Sequence, residues 1–119
     1  MRALLVVAHG SRRDASNDEV RALTDRIRDQ AGAFDHVACA FLELADPSIP
    51  DGISACVASG ADEVVVLPYF LSAGRHVAED IPGLVDLSRA EHPHTQIHIA
   101  PYLGTATDLP QTLLNLAIK

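Results

Sequence analysis

The feature that most constrains the fold of this chain is a set of short apolar runs that alternate with stretches of helical periodicity. Two runs, 3–8 (Ala-Leu-Leu-Val-Val-Ala) and 64–70 (Val-Val-Val-Leu-Pro-Tyr-Phe), are apolar at consecutive positions, and the second belongs to a strand expected over 63–69. Such continuous runs are typical of strands that are buried on both faces of a sheet, whereas strands with one solvated face alternate. The runs therefore predict a parallel sheet that is covered by helices on both sides.

Two more strands and four helices complete the predicted alternation. The further strands are expected over 36–42 and 96–100. The helices are expected to begin at residues that favour caps or turns: Ser16 of a Ser-x-x-Glu capping box, the turn 46–50, His76, and Thr107 or Asp108. Pro82 must bend the third helix or start a new helical segment. The pattern predicts one α/β domain over residues 1–119, a three-layer sandwich with a four-stranded parallel sheet.

The strand order decides which loops meet. The commonest small arrangement is flavodoxin-like, with strand order 2-1-3-4, and ligands bind where its first and third strands end. His9 follows the first strand and His76 follows the third, so we expect both histidines to face one crevice. Neutral imidazole binds transition metals and accepts protons near neutral pH. The two histidines are therefore the candidate metal ligands.

The other four histidines are weaker candidates. His36 begins a strand and is expected at the opposite edge of the sheet, while His92 and His94 flank a proline in a turn that is expected to be solvated. His98 lies within the fourth strand, where a buried and hydrogen-bonded role is expected.

Small and charged residues surround the candidate ligands. Gly10 and Ser11 allow close approach to His9, and Gly74 does the same before His76. Glu43 ends the second strand, where it either reaches the crevice or remains a solvated loop carboxylate.

Three arginines, Arg12, Arg13 and Arg75, lie in the loops that follow the first and third strands. Guanidinium pairs well with carboxylate and phosphate, so they indicate a polyanionic ligand. The alternative is that they are ordinary solvated arginines, and this applies more to Arg13 than to Arg75.

Composition excludes several classes of protein. With 9 basic and 16 acidic residues the formal net charge is −7, which disfavours nucleic acid and anionic membranes as partners. Cys39 and Cys56 form no Cys-x-x-Cys motif and are expected to be reduced thiols. No apolar run approaches the roughly 18–20 residues that a membrane span requires, and no signal peptide is recognisable. The expected compartment is the cytoplasm.

Several familiar catalytic motifs are missing from the sequence. It contains no glycine-rich phosphate loop, no Gly-x-Ser-x-Gly and no His-Glu-x-x-His. The His9-Gly10 pair is similar to that of the histidine phosphatases, but those need an arginine directly before the histidine, and Ala8 stands there. Phosphoryl transfer through His9 is therefore disfavoured.

Four sequence elements together match one family. They are 8–12 (Ala-His-Gly-Ser-Arg), 41–43 (Phe-Leu-Glu) followed by Pro47, 67–76 (Leu-Pro-Tyr-Phe-Leu-Ser-Ala-Gly-Arg-His) leading into 80–82 (Asp-Ile-Pro), and 100–104 (Ala-Pro-Tyr-Leu-Gly). In this order and spacing the chain resembles the short-form, CbiX-type sirohydrochlorin chelatases, the class II tetrapyrrole chelatases. The Gly-x-His and Asp-Ile-Pro element is the most specific of the four.

The resemblance implies insertion of a divalent metal into sirohydrochlorin, with Co²⁺ first and Fe²⁺ or Ni²⁺ as alternatives, in cobalamin or sirohaem synthesis. It implies that His9 is a metal ligand and proton acceptor, that His76 is the second ligand, and that no cofactor beyond the metal is needed. It also implies a homodimer with the pocket between the subunits, since the short form is similar to half of a longer chelatase with two modules.

The resemblance further implies which residues contact the macrocycle. Glu43 matches a carboxylate that contacts the tetrapyrrole or relays protons, and the loop that wraps the macrocycle matches Leu71, Ser72, Ala73, Gly74 and Arg75. From their hydrogen-bonding groups and charge we expect Ser11, Arg12 and Arg75 to bind its acidic side chains. A non-catalytic carrier of metal or tetrapyrrole, using the same two histidines, is the alternative.

Overall fold

A four-stranded parallel sheet forms the centre of the fold in a computed structural model that describes residues 1–119. Its strands are β1 (Arg2–Ala8), β2 (His36–Phe41), β3 (Glu63–Pro68) and β4 (Gln96–Ile99). The order is β2-β1-β3-β4, and all three neighbouring pairs are parallel. The predicted α/β class and the flavodoxin-like order 2-1-3-4 are both confirmed.

Four α-helices flank this sheet: α1 (Asp14–Gln30), α2 (Ile49–Ala58), α3 (Ile81–Glu91) and α4 (Leu109–Ile118). A π-helical segment, His76–Asp80, runs directly into α3. Pro82 lies in the first turn of α3, which is a part of a helix where proline is tolerated. The expectation that Pro82 starts a new helical segment is confirmed. None of the helices has the length and apolar character that crossing a bilayer requires.

The helix starts agree only partly with the expected caps. Ser48 caps α2 as expected from the turn, since its side chain accepts the N–H of Asp51 at 3.2 Å. The capping box at Ser16 is wrong, because α1 already begins at Asp14 and places Ser16 inside its first turn. Asp108 precedes α4 without a side-chain bond, because its backbone is helical (φ −85°, ψ −5°) rather than extended.

The two faces of the sheet are unequally covered. Beneath α2 and α3 lies a core cluster of 13 buried residues, to which β1 contributes Ala3, Leu5 and Val7. Beneath α1 the buried cluster has three members, Leu4, Val6 and Val37. Helix α4 contributes no buried residue to either cluster. The face beneath α1 is therefore incompletely covered.

Each edge strand is protected by an arginine from a neighbouring helix. Arg28 of α1 donates from Nε and Nη2 to the Val37 carbonyl on β2, at 3.2 and 2.6 Å. Arg89 of α3 donates in the same way to the Ile97 carbonyl on β4, at 3.0 and 2.8 Å. Occupied carbonyls make both edges poorer templates for pairing with another strand.

His98 lies on β4 and is exposed, so the expectation of a buried role is wrong. Its Nε2 lies 3.3 Å from Oε2 of Glu63. The physical reason is that β4 is an edge strand whose face on this side is open to solvent.

Candidate active site

The carboxyl edge of the sheet brings His9 and His76 together. Because β1 and β3 are neighbours, the loops that follow them meet, and the two imidazole centroids lie 4.8 Å apart with planes inclined by 62°. The Phe70 ring lies behind His76, with a centroid distance of 6.4 Å. The expectation that the strand order brings the two histidines together is confirmed by this distance.

Both rings use the same nitrogen, Nδ1, in a hydrogen bond. His9 Nδ1 lies 2.9 Å from the Gly10 carbonyl, and a carbonyl can only accept, so Nδ1 carries the hydrogen. His76 Nδ1 lies 2.8 Å from Oδ2 of Asp80 and donates to that carboxylate. In each neutral ring the lone pair is therefore on Nε2, which is the arrangement usual for metal-binding histidines.

Glu43 lies beside His9 and is connected to it twice. Its Oε1 is 3.5 Å from His9 Nε2, and its backbone N–H donates to the His9 carbonyl at 3.0 Å. Of the two alternatives from the sequence, the side chain reaches the crevice, although 55% of it remains exposed. The carboxylate is thus close to the imidazole nitrogen and to solvent at once.

Gly10 makes the close approach of these two loops possible. Its φ is +92°, and a Cβ at this position would lie 1.7 Å from the Glu43 carbonyl oxygen. Only glycine satisfies both conditions without strain. The conformation of the His9 loop therefore depends on a backbone contact rather than on a side chain.

Asn17 is a site residue that the sequence interpretation missed. Its side chain is 3% exposed and holds both backbone groups of Ser11: Ser11 N–H donates to Oδ1 at 2.9 Å, and Nδ2 donates to the Ser11 carbonyl at 2.8 Å. The available signal was periodicity, since Asn17 falls in the same helical stripe as Val20, Thr24 and Ile27. A polar residue on the buried stripe of a helix needs partners.

The segment 71–75 before His76 is exposed throughout. Its position is set from behind by the connection between β4 and α4, where Gly104 N–H donates to the Phe70 carbonyl at 3.1 Å. A Cβ on Gly104 would lie 2.0 Å from the Leu71 carbonyl oxygen, so this contact also requires glycine. The side chains of 71–75 are left free to contact a ligand.

The charged residues around the crevice are less tightly placed. Arg12 is exposed, and Ser11 accepts the N–H of Arg13 at 3.0 Å. Arg75 is exposed as well and lies 3.8 Å from Glu79. Neither Arg12 nor Arg75 bonds to a histidine.

A cavity of about 610 Å³ opens beside His76. Leu42 and Glu43 line it on the side of β2, while His76, Asp80 and Leu84 line it on the side of the π-helical segment and α3. Its walls combine apolar side chains with carboxylates. The chain holds no group of three or more His, Cys, Asp or Glu side chains arranged to bind a metal ion.

Comparison with known proteins identifies similar chains. Residues 3–118 match the family model described as CbiX. A chloroplastic sirohydrochlorin ferrochelatase of Arabidopsis thaliana is 44% identical over 81 residues, which cover 68% of this chain and 36% of that protein. A sirohydrochlorin cobaltochelatase of Methanococcus aeolicus is 33% identical over 91 residues, which cover 76% of this chain and 63% of that protein. The chain thus spans less than two thirds of the length of either relative.

Two solved structures are similar to the whole chain. A cobalamin biosynthesis CbiX protein from Marinobacter aquaeolei has a TM-score of 0.83 and 26% identity, and the match covers 99% of this chain and 95% of that one. The sirohydrochlorin chelatase SirB from Bacillus subtilis subspecies spizizenii, solved in complex with cobalt, has a TM-score of 0.89 and 27% identity. That match covers 98% of this chain and 50% of SirB.

Proposed function

The chain belongs to the CbiX family, and from this premise we propose that it inserts a divalent metal ion into sirohydrochlorin. The observation that carries the proposal is the pair of imidazoles whose ring centroids lie 4.8 Å apart, each with Nδ1 hydrogen-bonded and the lone pair of the neutral ring on Nε2. Relatives named cobaltochelatase and ferrochelatase support both metals, so we propose Co²⁺ first and Fe²⁺ or Ni²⁺ as alternatives. Imidazole nitrogen is a suitable ligand for all three.

The metal is a substrate in this proposal and must be held only briefly. His9 and His76 supply two nitrogen donors, and the remaining coordination positions stay open to water and to the macrocycle. As pyrrole nitrogens replace the protein ligands, the metal passes from the histidines into the ring. A site with two protein donors can release its ion in this way more readily than a closed structural site with four.

The Nε2 atoms of the same two histidines can also accept the protons that metal insertion releases. Insertion of one divalent ion displaces two pyrrole N–H protons, and departure of the ion frees two imidazole lone pairs. Each Nε2 can then accept one proton, since imidazole is basic near neutral pH. We assign Glu43 the role of relaying the His9 proton to solvent, because its carboxylate is 3.5 Å from Nε2 and half-exposed.

For the macrocycle we propose the exposed segment that precedes His76. The side chain of Leu71 can cover the apolar face of a tetrapyrrole, and the small residues Ser72, Ala73 and Gly74 allow it to come close to the metal. We assign its carboxylates to Ser11, Arg12 and Arg75, because guanidinium pairs well with carboxylate. Both arginines are exposed, and they lie in the segments next to His9 and His76.

We also propose that two copies form a homodimer. Helix α4 carries four large apolar side chains that are between 55% and 80% exposed: Leu113, Leu114, Leu116 and Ile118. Complete burial of such side chains stabilises a complex by about 1.5–3 kcal/mol each. An apolar groove of about 380 Å³ lies between α1, the sheet and the start of α4, lined in part by Leu23, Ile27 and Leu67. In a two-fold dimer, a second copy would cover both the exposed side chains of α4 and the apolar groove.

Light scattering tests the dimer. Leu113→Lys and Leu116→Lys together are expected to reduce the mass from twice the value of one chain to 12.7 kDa, because charged residues would then occupy the apolar interface. Ala90→Lys, at an exposed position of α3 outside the cavity, is the control and should leave the mass unchanged. A wild-type protein that inserts metal as a monomer would contradict the proposal.

Residues 1–119 are proposed to act as one chelatase-like module, comparable to half of SirB. We propose the cytoplasm as its compartment, since Cys39 and Cys56 are both free thiols and fit a reducing environment.

The function is tested by anaerobic incubation with sirohydrochlorin and Co²⁺, followed by absorbance. We expect the spectrum of the metallated product to develop faster than in the mixture without protein. If the protein binds the macrocycle or the metal and the rate does not rise above that control, the alternative of a non-catalytic carrier replaces the chelatase.

A further inference from the structure

We infer that Asp80 is a positioning residue for His76: its carboxylate fixes the ring so that Nε2 faces the crevice. The inference deepens the proposed function and rests on it only for the consequence in metal insertion. Its basis is the hydrogen bond of 2.8 Å between His76 Nδ1 and Asp80 Oδ2.

The backbone places these two residues for this contact. His76 and Asp80 are the first and last residues of the π-helical segment, which the Ile81 N–H closes by donating to the His76 carbonyl. Such single π turns are rare and are frequently found at functional sites. The next residue, Ile81, is fully buried, so Asp80 stands where the segment is anchored in the core.

The carboxylate has a chemical consequence for the ring. Because it can only accept, it holds the hydrogen on Nδ1 and leaves the lone pair of the neutral ring on Nε2. The bond also restricts rotation of the ring about its χ angles. Carboxylates in this position are common partners of metal-binding histidines, and their loss typically weakens metal binding by about 10–100-fold.

A purely structural role does not account for Asp80. Its side chain is 39% exposed, and the segment is held in the core by Ile81 and Val85, which are both fully buried. The neighbouring carboxylate of Glu79 lies beside Arg75 instead, at 3.8 Å. Asp80 is therefore the carboxylate bonded to His76, and its removal should leave the fold intact.

The test compares Asp80→Ala with Asp80→Asn in two measurements that need no enzymatic activity. The first is nitrogen-15 NMR at alkaline pH, where the imidazoles are neutral and the tautomer can be read directly. We expect the Nδ1–H tautomer of His76 in the wild type, its loss in Asp80→Ala, and its retention in Asp80→Asn, whose amide oxygen still accepts.

The second measurement is titration with Co²⁺ alone, followed by its visible absorption. We expect binding to be about 10–100-fold weaker in Asp80→Ala and intermediate in Asp80→Asn. Glu63→Gln is the matched control, because Glu63 lies 3.3 Å from a different histidine, His98, and is remote from the crevice. It should change neither the His76 signals nor the Co²⁺ affinity.

Two results would overturn the inference: an unchanged His76 tautomer in Asp80→Ala, or a changed tautomer with unchanged Co²⁺ affinity. Failure of the wild type to metallate sirohydrochlorin would reject the proposed function and leave these measurements valid. The two ideas can thus fail separately.

Discussion

His9 and His76 lie side by side and both hydrogen-bond through Nδ1, but the chain holds them by different means. The His9 loop is locked by backbone contacts, with the Gly10 carbonyl on Nδ1 and the Glu43 N–H on the His9 carbonyl. His76 is held by one side chain, that of Asp80, and follows an exposed segment.

This difference indicates a division of labour. A backbone-locked ligand keeps its position whatever enters the crevice, so His9 is suited to define where the metal and the protons are handled. A ligand on an exposed segment can adjust to a bulky macrocycle, while its carboxylate partner preserves the orientation of the ring.

The largest expected effect is the loss of either ring. We expect His9→Ala and His76→Ala each to abolish metal insertion while leaving the fold intact, because both rings are only half-buried. The rate with sirohydrochlorin and Co²⁺ is the measurement, and circular dichroism reports the fold. A near-normal rate in either variant would show that this histidine is not needed for insertion, and the proposed division of labour between the two would be wrong.

The next largest effect is expected on stability, at the glycine whose backbone contact holds the His9 loop in place. Gly10→Ala should lower the free energy of unfolding by about 2–3 kcal/mol or more, because φ is +92° and the new Cβ would collide with the Glu43 carbonyl. Urea-induced unfolding measures this change in the free energy of unfolding.

Gly74→Ala is the matched control for the other loop, since nothing lies within 4 Å of its new Cβ. We expect a change within about 0.5 kcal/mol, as for an ordinary surface substitution. Equal effects of the two substitutions would mean that the loops are not held differently.

A smaller effect is expected at Glu43. Glu43→Gln should reduce the insertion rate about 10-fold or more, because the amide cannot relay the proton from His9, whereas its size is nearly the same. Steady-state rates at saturating Co²⁺ measure the change. An unaltered rate would return Glu43 to the alternative of a solvated loop carboxylate.

The smallest expected effect concerns Cys56, which lies in the core outside both loops. Its reactivity reports whether the core is intact in each variant. Burial raises the pKa of the Cys56 thiol to about 11, so near neutral pH it should resist alkylation in the native protein. Mass spectrometry after alkylation, with and without denaturant, measures this. Rapid native labelling of Cys56 in a histidine variant would show that its loss of activity comes from unfolding.

The same pKa predicts a pH dependence of stability. An unfolded thiol ionises near its usual pKa of about 8.5, so the unfolded state binds fewer protons than the folded state from there to about 11. The contribution of Cys56 to the free energy of unfolding should therefore be complete below about pH 8.5 and decline as the pH rises through 11.

Much of the fold was predictable because both-sided burial leaves a clear pattern. The apolar runs of β1 and β3 favoured a parallel sheet, and its usual order brought His9 and His76 to the same edge, although alternate residues of β3 are only half-buried. The wrong expectations were local. Ser16 matched a capping box but lies inside α1, and His98 was expected to be buried although its edge strand leaves it exposed.

The sequence by itself therefore determined the strands, the class of fold and the two candidate ligands, because periodicity and residue chemistry are local properties. Only the tertiary structure decided that Gly10 and Asp80 hold the Nδ1 atoms, that Asn17 holds Ser11, and that α4 is left exposed. These contacts depend on distances between backbone and side-chain atoms of a few ångströms, and no local pattern along the chain encodes them.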